Sequence, residues 1–254
     1  MTLPKTPSFS LKGKKALVVG ASSGIGSACA VALAEHGASV TLAARRKDRL
    51  IRLADKMSKK NWDTNILEMN IANVEETSRL ISGCEQFDIL VNSAGLARHS
   101  KSLDTSVEDF DKVMNINLKG AYFLTQAVAK KLFSMGKTGS LINISSQMGL
   151  VGGQERAVYC SSKHAVEGFT KAMAIEYGPA NIRINTICPT FILTDMTKAT
   201  FDDPEKRAWV ESKIKLGRVG AVQDIMGAVV YLASDASSLV TGSALLIDGG
   251  WTAG

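Results

Sequence analysis

The stretch Ala16-Leu17-Val18-Val19-Gly20-Ala21-Ser22-Ser23-Gly24-Ile25-Gly26 decides how this chain folds. It opens as a short apolar run, turns at a glycine, and continues into a helical pattern over residues 24–36. A continuous apolar strand is what a parallel sheet covered by helices on both faces requires. Glycines at the turn permit tight bending and close approach of a ligand to the backbone. The helix start adds free N–H groups and the positive end of a dipole. These are the parts of a pyrophosphate cradle. The spacing is G-x-x-x-G-x-G, which differs from the standard G-x-G-x-x-G dinucleotide fingerprint. Two other readings are open to the same residues. One is a purely structural turn. The other is the G-x-S-x-G nucleophile elbow, which Gly20 to Gly24 satisfy between a strand and a helix. Against the elbow, the turn follows the first strand, and no histidine lies beyond His164 to serve as base.

Outward from this unit the same rhythm repeats. Apolar runs at 16–20, 39–43, 65–69, 89–92, 140–145, 183–188 and 244–248 alternate with amphipathic stretches at 24–36, 46–59, 74–84, 107–135, 156–177 and 221–233. Strict alternation predicts a single-domain α/β fold, a doubly wound, Rossmann-like parallel sheet of about seven strands with helices on both faces. Ligands of such sheets bind beyond the carboxyl ends of the strands. Residues 190–220 break the rhythm with helical pieces and no strand, and Asp202-Asp203-Pro204 marks a helix start within them. An excursion of that length predicts a substrate-binding lid. Residues 1–10 read as a flexible arm, and no second domain, repeat or low-complexity tract is seen.

Composition narrows the function. The chain has 254 residues, 45% hydrophobic and 21% charged, with a net charge of +6. The basic residues are scattered and form no stripe interleaved with aromatics, so no nucleic-acid partner is expected. Cys29, Cys84, Cys160 and Cys188 form no C-x-x-C, and the histidines have no ligand spacing, so neither a disulfide framework nor a metal is expected. Residues 1–10 lack an apolar signal core, and no apolar run is long enough to span a bilayer. The expectation is a cytoplasmic protein without a membrane partner.

Tyr159 and Lys163 stand four residues apart in Val158-Tyr159-Cys160-Ser161-Ser162-Lys163. On a helix that spacing puts both side chains on one face. A free phenol titrates near about 10, and a neighbouring ammonium favours the phenolate, bringing proton transfer toward neutral pH. Cys160 and His164 point to other faces and read as packing residues.

Four further pieces stand in order around that pair: Asn92-Ser93-Ala94-Gly95, Asn117-Leu118-Lys119-Gly120, Ser146, and Pro189-Thr190-Phe191-Ile192-Leu193-Thr194. With the glycine turn and the Tyr-Lys pair they resemble the short-chain dehydrogenase/reductase family, in its single-domain form, from about Leu11 to Gly250. The resemblance implies an NAD(P)-dependent oxidoreductase that interconverts a carbonyl and a secondary alcohol. Tyr159 would be the general acid or base. Lys163 would lower its pKa and hold the nicotinamide ribose. Ser146 would donate a hydrogen bond to the substrate oxygen, and Asn117 would hold a relay to solvent. Ser145 competes with Ser146, and Asn115 with Asn117; family spacing selects the second of each.

The same resemblance assigns the dinucleotide to Gly20, Ser22, Ser23, Gly24, Ile25, Gly26, Arg45, Arg46, Asn70, Ile71, Asn92, Ala94, Gly95, Tyr159, Lys163, Pro189, Ile192 and Thr194. Ala44 stands where an NAD-selecting aspartate would be, and Arg45 can pair with a 2′-phosphate. NADP(H) is therefore the expected cofactor, with NAD(H) as the alternative; the lesser reading of Arg45 and Arg46 is the start of a solvated helix face, and the glycine turn carries Ser23 where many NADP-using relatives have a basic residue. Thr190 replaces a family glycine, and Asn70 and Ser93 depart from the usual Asp and Asn. Gln147, Met148, Val151, Gln154, Phe191 and Met196 are candidate pocket walls, with Met148, Gln154 and Phe191 joining Ser146 and Tyr159 as substrate residues. They include no carboxylate-binding arginine cluster. The expected substrate is a small ketone, keto-sugar or 3-ketoacyl group, with Ala180 weighing against a carrier-protein ketoacyl substrate. A polyol dehydrogenase and a non-catalytic dinucleotide-binding protein are the competing functions. The resemblance further implies a homotetramer formed through the helices at 107–135 and 156–177 and the C-terminal segment, where Trp251 lies.

Overall fold

Strand β1 (Lys15–Val19) lies inside a seven-stranded parallel sheet of order β3-β2-β1-β4-β5-β6-β7. The computed structural model describes residues 2–254. The remaining strands are β2 (Ser39–Ala44), β3 (Thr64–Glu68), β4 (Ile89–Asn92), β5 (Gly139–Ile144), β6 (Ile182–Pro189) and β7 (Ala244–Ile247). The helices between them are α1 (Gly24–Glu35), α2 (Lys47–Ser58), α3 (Val74–Gly83), α4 (Val107–Met114), α5 (Ala121–Ser134), α6 (Ala157–Tyr177), α7 (Lys198–Phe201), α8 (Pro204–Lys213) and α9 (Gln223–Ala233). Strand limits fall within one residue of the apolar runs in the sequence.

Alternation along each strand builds two cores. In β1, Ala16 and Val18 pack with Cys29 and Leu33 of α1, Leu50 of α2 and Val229 of α9. Leu17 and Val19 face the other way, toward Leu124 and Val128 of α5 and Val166 of α6. Burial on both faces is why the strands read as unbroken apolar runs.

The sheet winds outward from β1 in two directions. Val19 pairs with Ala43 on one side and with Asn92 on the other. At this switch point the loops after β1 and β4 diverge and leave a crevice at the carboxyl ends. Asn92 stays buried there, donating to Asn143 Oδ1 (3.1 Å) and accepting from Ala94 N (3.2 Å).

Two segments differ from a plain helix or loop. The helical pattern at 107–135 is interrupted by a π-helical turn, Asn115–Gly120, between α4 and α5. A wide turn of this kind leaves apolar spacing nearly intact, so periodicity does not reveal it, and such turns cluster at functional sites. The excursion at 190–220 is pinned at its neck by Leu193 N donating to Gly220 O (2.8 Å) and Gly220 N donating to Phe191 O (2.9 Å). Asp203 caps α8 by accepting from Glu205 N and Lys206 N (3.0 and 3.2 Å), and Pro204 follows at the first helical position, as the sequence suggests. Val210, Ile214 and Val219 form a small core of their own with Phe191, Phe201 and Trp251. Residues 2–10 have no regular structure, and Leu11 is fully buried.

Candidate active site

The crevice runs from the glycine turn after β1, past the ends of β2 to β6, to Tyr159 and the start of the 190–220 excursion. At its first end Gly20 has φ +83°, and a Cβ there would stand 2.7 Å from Ala94 N. Only glycine allows that turn to cross the loop after β4. Ser23 begins α1 without capping it through its side chain, so the first N–H groups of the helix remain available. Gly20, Ser22, Ser23, Gly24 and Ile25 line the crevice; Gly26 does not. A Cβ on Gly26 would lie 2.3 Å from Gly20 O, so its role is to seat α1 against the turn. Asn92 is likewise a buried support outside the lining. Both were expected among the cofactor contacts, and both stand one layer behind.

Arg45, Arg46, Asn70, Ile71, Ala94, Gly95, Pro189, Ile192 and Thr194 all line the crevice, together with Ala44. Arg46 Nη2 donates to Ser22 Oγ (2.9 Å) and Ser23 Oγ (3.3 Å), which ties a cation to the glycine turn. Thr194 closes over it, its methyl 3.1 Å from the position of a Cβ on Gly24. Beside it Asp195 meets Arg49 of α2 at 3.5 Å. The residues present fit a dinucleotide: a tight glycine turn at a helix start, then two guanidinium groups where the chain leaves β2, with no acid at Ala44.

At the other end, Ser146, Tyr159 and Lys163 meet. Ser146 Oγ accepts from Met148 N (3.1 Å), which leaves its hydroxyl proton free to donate. Lys163 is 5% exposed and donates to Ile144 O at 2.9 Å. Burial draws its pKa down to about 8, against the pull of Cys188 and Glu167. Burial pushes the Tyr159 phenol above its ordinary value, opposed by the hydrogen bond with Ser146 and the charge of Arg156. This departs from the expectation that Lys163 lowers the phenol: the ammonium is engaged at Ile144 and lies 5.7 Å from the ring centroid.

Asn117 sits in the π-helical turn, 1% exposed. Its Oδ1 accepts from Leu96 N (2.8 Å), and its Nδ2 donates to Leu96 O (2.8 Å) and Ser162 Oγ (3.1 Å). A Cβ on Gly95 would be 3.6 Å from Asn117 Oδ1 and 3.9 Å from Lys163 Nζ, so the two groups flank one point. Among the described residues Asn115 has no side-chain hydrogen-bond partner, and it does not line the crevice. Ser145, the competitor of Ser146, lines the crevice too, with its buried hydroxyl unpartnered.

The candidate substrate residues scatter. Met196 lines the crevice. Met148 is buried and outside the lining, Gln154 is exposed, and Gln147 is buried with both amide atoms unpartnered among the described residues. Phe191 stacks on Trp251 at 5.6 Å, so Trp251 packs within its own chain. Two residues absent from the sequence reading stand beside Tyr159. Arg156 Cζ lies 5.1 Å from the Phe191 centroid, and Arg156 Nη1 bonds His99 Nε2 at 2.6 Å. The His99 ring meets the Tyr159 ring edge-on at 6.3 Å. Among the described residues no cluster of His, Cys, Asp or Glu could hold a metal, and no helix is long and apolar enough to cross a membrane.

A doubly wound sheet with this crevice is the architecture of a dinucleotide-binding protein. The family model described as Enoyl-(Acyl carrier protein) reductase matches residues 20–252. D-erythrulose reductase of Gallus gallus is 35% identical over 96% of this chain and 98% of its own length. Among solved structures, a candidate 2-deoxy-d-gluconate 3-dehydrogenase of Agrobacterium tumefaciens with bound NADP is 40% identical. It has a TM-score of 0.92 and covers 98% of this chain and 100% of that one. A gluconate 5-dehydrogenase of Burkholderia cenocepacia J2315, in complex with NADP and tartrate, is 31% identical with a TM-score of 0.93, over 97% of this chain and 98% of that one. The chain belongs to the short-chain dehydrogenase/reductase family, NAD(P)-dependent enzymes acting on CH–OH groups.

Proposed function

We propose that this protein interconverts a keto-sugar-type carbonyl and its secondary alcohol with NADP(H). The observation that carries the reading is the meeting of Ser146, Tyr159 and Lys163 at one end of a crevice whose other end holds Arg45 and Arg46. The relatives reported above bind NADP or act on small sugars and sugar acids, in keeping with a small, polar substrate.

Gly20, Ser22, Ser23, Gly24 and Ile25 would hold the pyrophosphate, Arg45 and Arg46 the 2′-phosphate, and Asn70 and Ile71 the adenine. Ala94, Gly95, Pro189, Ile192 and Thr194 would line the path to the nicotinamide. When bound, the nicotinamide supplies or accepts the hydride at the carbonyl carbon. Ser146 donates to the carbonyl oxygen as negative charge grows there, an interaction worth about 3 kcal/mol in comparable oxyanion sites. Tyr159 delivers the proton to that oxygen in reduction and removes it in oxidation. Lys163, anchored on Ile144 O, would hold the ribose hydroxyls. Asn117 clamps Leu96 and Ser162 and supports the relay beside Lys163. The excursion at 190–220 acts as a lid, supported by the contact of Thr194 with the glycine turn and the ion pair of Asp195 with Arg49. A homotetramer is supported by apolar side chains exposed on α4 and α6, Val107 and Ile175.

A panel of ketoses, keto acids and 3-ketoacyl thioesters, with polyols for the reverse reaction, tests the reading when assayed with NADPH and NADH. Turnover of a keto-sugar or sugar acid with NADPH preferred is expected. Strict NADH use, or no carbonyl turnover across the panel, overturns it.

A further inference from the structure

We propose that Arg156 is the carboxylate-binding residue of the substrate pocket, and that the substrate is therefore a sugar acid, its oxidised form a keto acid. The inference rests on the reading above and names the substrate class for that site.

Arg156 stands at the N-cap of α6, three residues before Tyr159, just outside the crevice lining; its charge acts on the Tyr159 phenol and its partner His99 meets the Tyr159 ring edge-on. Its only side-chain hydrogen bonds among the described residues run from Nη1 to His99. Nε and Nη2, the edge that engages a carboxylate through two parallel bonds, have no acceptor among the described residues. Other arginines of the chain show the contrast. Arg183, also half-buried, is used up on the carbonyls of Leu232, Ser234 and Val240. Arg218 forks onto Asp224 at 2.7 and 2.8 Å. Among the described residues no acidic side chain lies within 4.0 Å of Arg156.

The surroundings hold this free edge in place. Phe191 stacks under the guanidinium, and Phe191 is itself stacked on Trp251. Gly153 leaves room for the stem, because a Cβ there would be 2.9 Å from Arg156 Cδ. Burial and the charge of Arg156 draw the His99 pKa down to about 4, so the ring is neutral and takes Nη1 as an acceptor without adding charge. A half-buried cation with no acid in ion-pair contact, and only the charge of neighbouring Glu155 acting on it from farther off, costs solvation, and a bound carboxylate offsets that cost. One guanidinium matches one carboxylate; a phosphate dianion calls for further positive charge.

The test compares a ketose and the keto acid of equal chain length with NADPH, in the wild-type protein, Arg156→Met and Arg156→Lys. Wild type is expected to favour the acid by about 30-fold in kcat/KM, the order of a net hydrogen bond to a charged group. Arg156→Met should lose about 100-fold on the acid, mostly through KM, and about tenfold or less on the ketose, where only the charge of Arg156 on the Tyr159 phenol is lost. Arg156→Lys keeps the charge without the fork and should fall between; it carries the test if the methionine variant does not fold. Equal use of ketose and acid by wild type, equal loss on both in Arg156→Met, or preference for a phosphorylated ketose overturns the assignment. Calorimetric titration of the corresponding hydroxy acid into NADP-saturated protein gives a readout without turnover. If no carbonyl is reduced, the proposed reaction fails. Binding that is lost in Arg156→Met still supports the carboxylate site, and absence of binding to wild type overturns it.

Discussion

Lys163 Nζ hangs from the carbonyl of Ile144 at 2.9 Å and lies 5.7 Å from the ring centroid of Tyr159. The ammonium is thus held by the end of β5 and not by the phenol it follows in sequence. In the proposed reaction, proton transfer falls to Tyr159, with Ser146 alongside. Tyr159→Phe should lower kcat about a thousand-fold, the usual range for loss of a general acid or base. Cofactor affinity should change little, because the ring remains. The measurement is steady-state kinetics beside a fluorescence titration of NADPH. Near-normal turnover would remove Tyr159 from the mechanism.

Burial of Lys163 carries a pH signature. Its pKa falls from 10.5 to about 8 in the folded protein. Below pH 8 both folded and unfolded chains hold the proton, and the buried ammonium is a cost. Between pH 8 and 10.5 the folded protein has released it while the unfolded chain has not, so this group makes stability rise with pH. The thiols of Cys29 and Cys188, both pushed up to about 12, act in the opposite sense. A comparison with Lys163→Met isolates the lysine. Across that window the wild-type protein should gain unfolding free energy relative to the variant in urea titrations; parallel curves would refute the shift.

Arg45 and Arg46 line the crevice beside Ala44, and Arg46 reaches Ser22 and Ser23. Arg45→Ala with Arg46→Ala should raise KM for NADPH by about 20-fold and leave KM for NADH nearly unchanged, since only the 2′-phosphate needs the charges. Both side chains are exposed, so the wild-type preference should weaken with added salt. Equal losses on both cofactors would assign the arginines to the pyrophosphate instead.

Gly26 tests how tightly the turn is built. A Cβ at this position would lie 2.3 Å from Gly20 O, a backbone atom that cannot rotate aside. Gly26→Ala should cost about 2–3 kcal/mol by overpacking and weaken NADPH binding through displacement of the turn. Thermal melts with and without NADPH would show both effects. An unchanged melting temperature would mean that α1 shifts freely.

Much of this was legible in the chain because the relevant signals are local. Strands buried on both faces write continuous apolar runs, and the seven limits come out within one residue. Tyr159, Lys163, Ser146 and Asn117 sit in spacings that the family resemblance reads directly. What stayed hidden depends on packing. The π-helical turn at Asn115–Gly120 keeps the apolar period while turning Asn117 toward Leu96. Gly26 and Asn92 look like ligand contacts in sequence, and only the tertiary arrangement shows them supporting the turn from behind. Glu167 accepts from Thr186 (2.8 Å) and Cys188 (3.3 Å) beneath Lys163, a partnership between α6 and β6 with no sequence trace. Arg156 had a signal, its position one turn before Tyr159. His99 had none, being 57 residues from Arg156.

His99 gives a last prediction, at acid pH. Its pKa is lowered to about 4 by partial burial, then by Arg156, with Glu155 opposing. An unfolded histidine titrates near about 6.5. Above that value both states are neutral and the residue makes no pH-dependent contribution. As pH falls from 6.5 to 4 the unfolded chain takes up a proton that the folded protein refuses, so stability is lost across this window. His99→Gln keeps an acceptor for Arg156 Nη1 and removes the titration. The variant should lose less stability than wild type between pH 6.5 and 4, measured by urea unfolding at each pH. Asp224, held at about 2 by Arg218, and Asp248 titrate in both proteins and cancel in the difference. Identical pH dependence in the two proteins would show that the ring is solvated enough to take its proton beside Arg156.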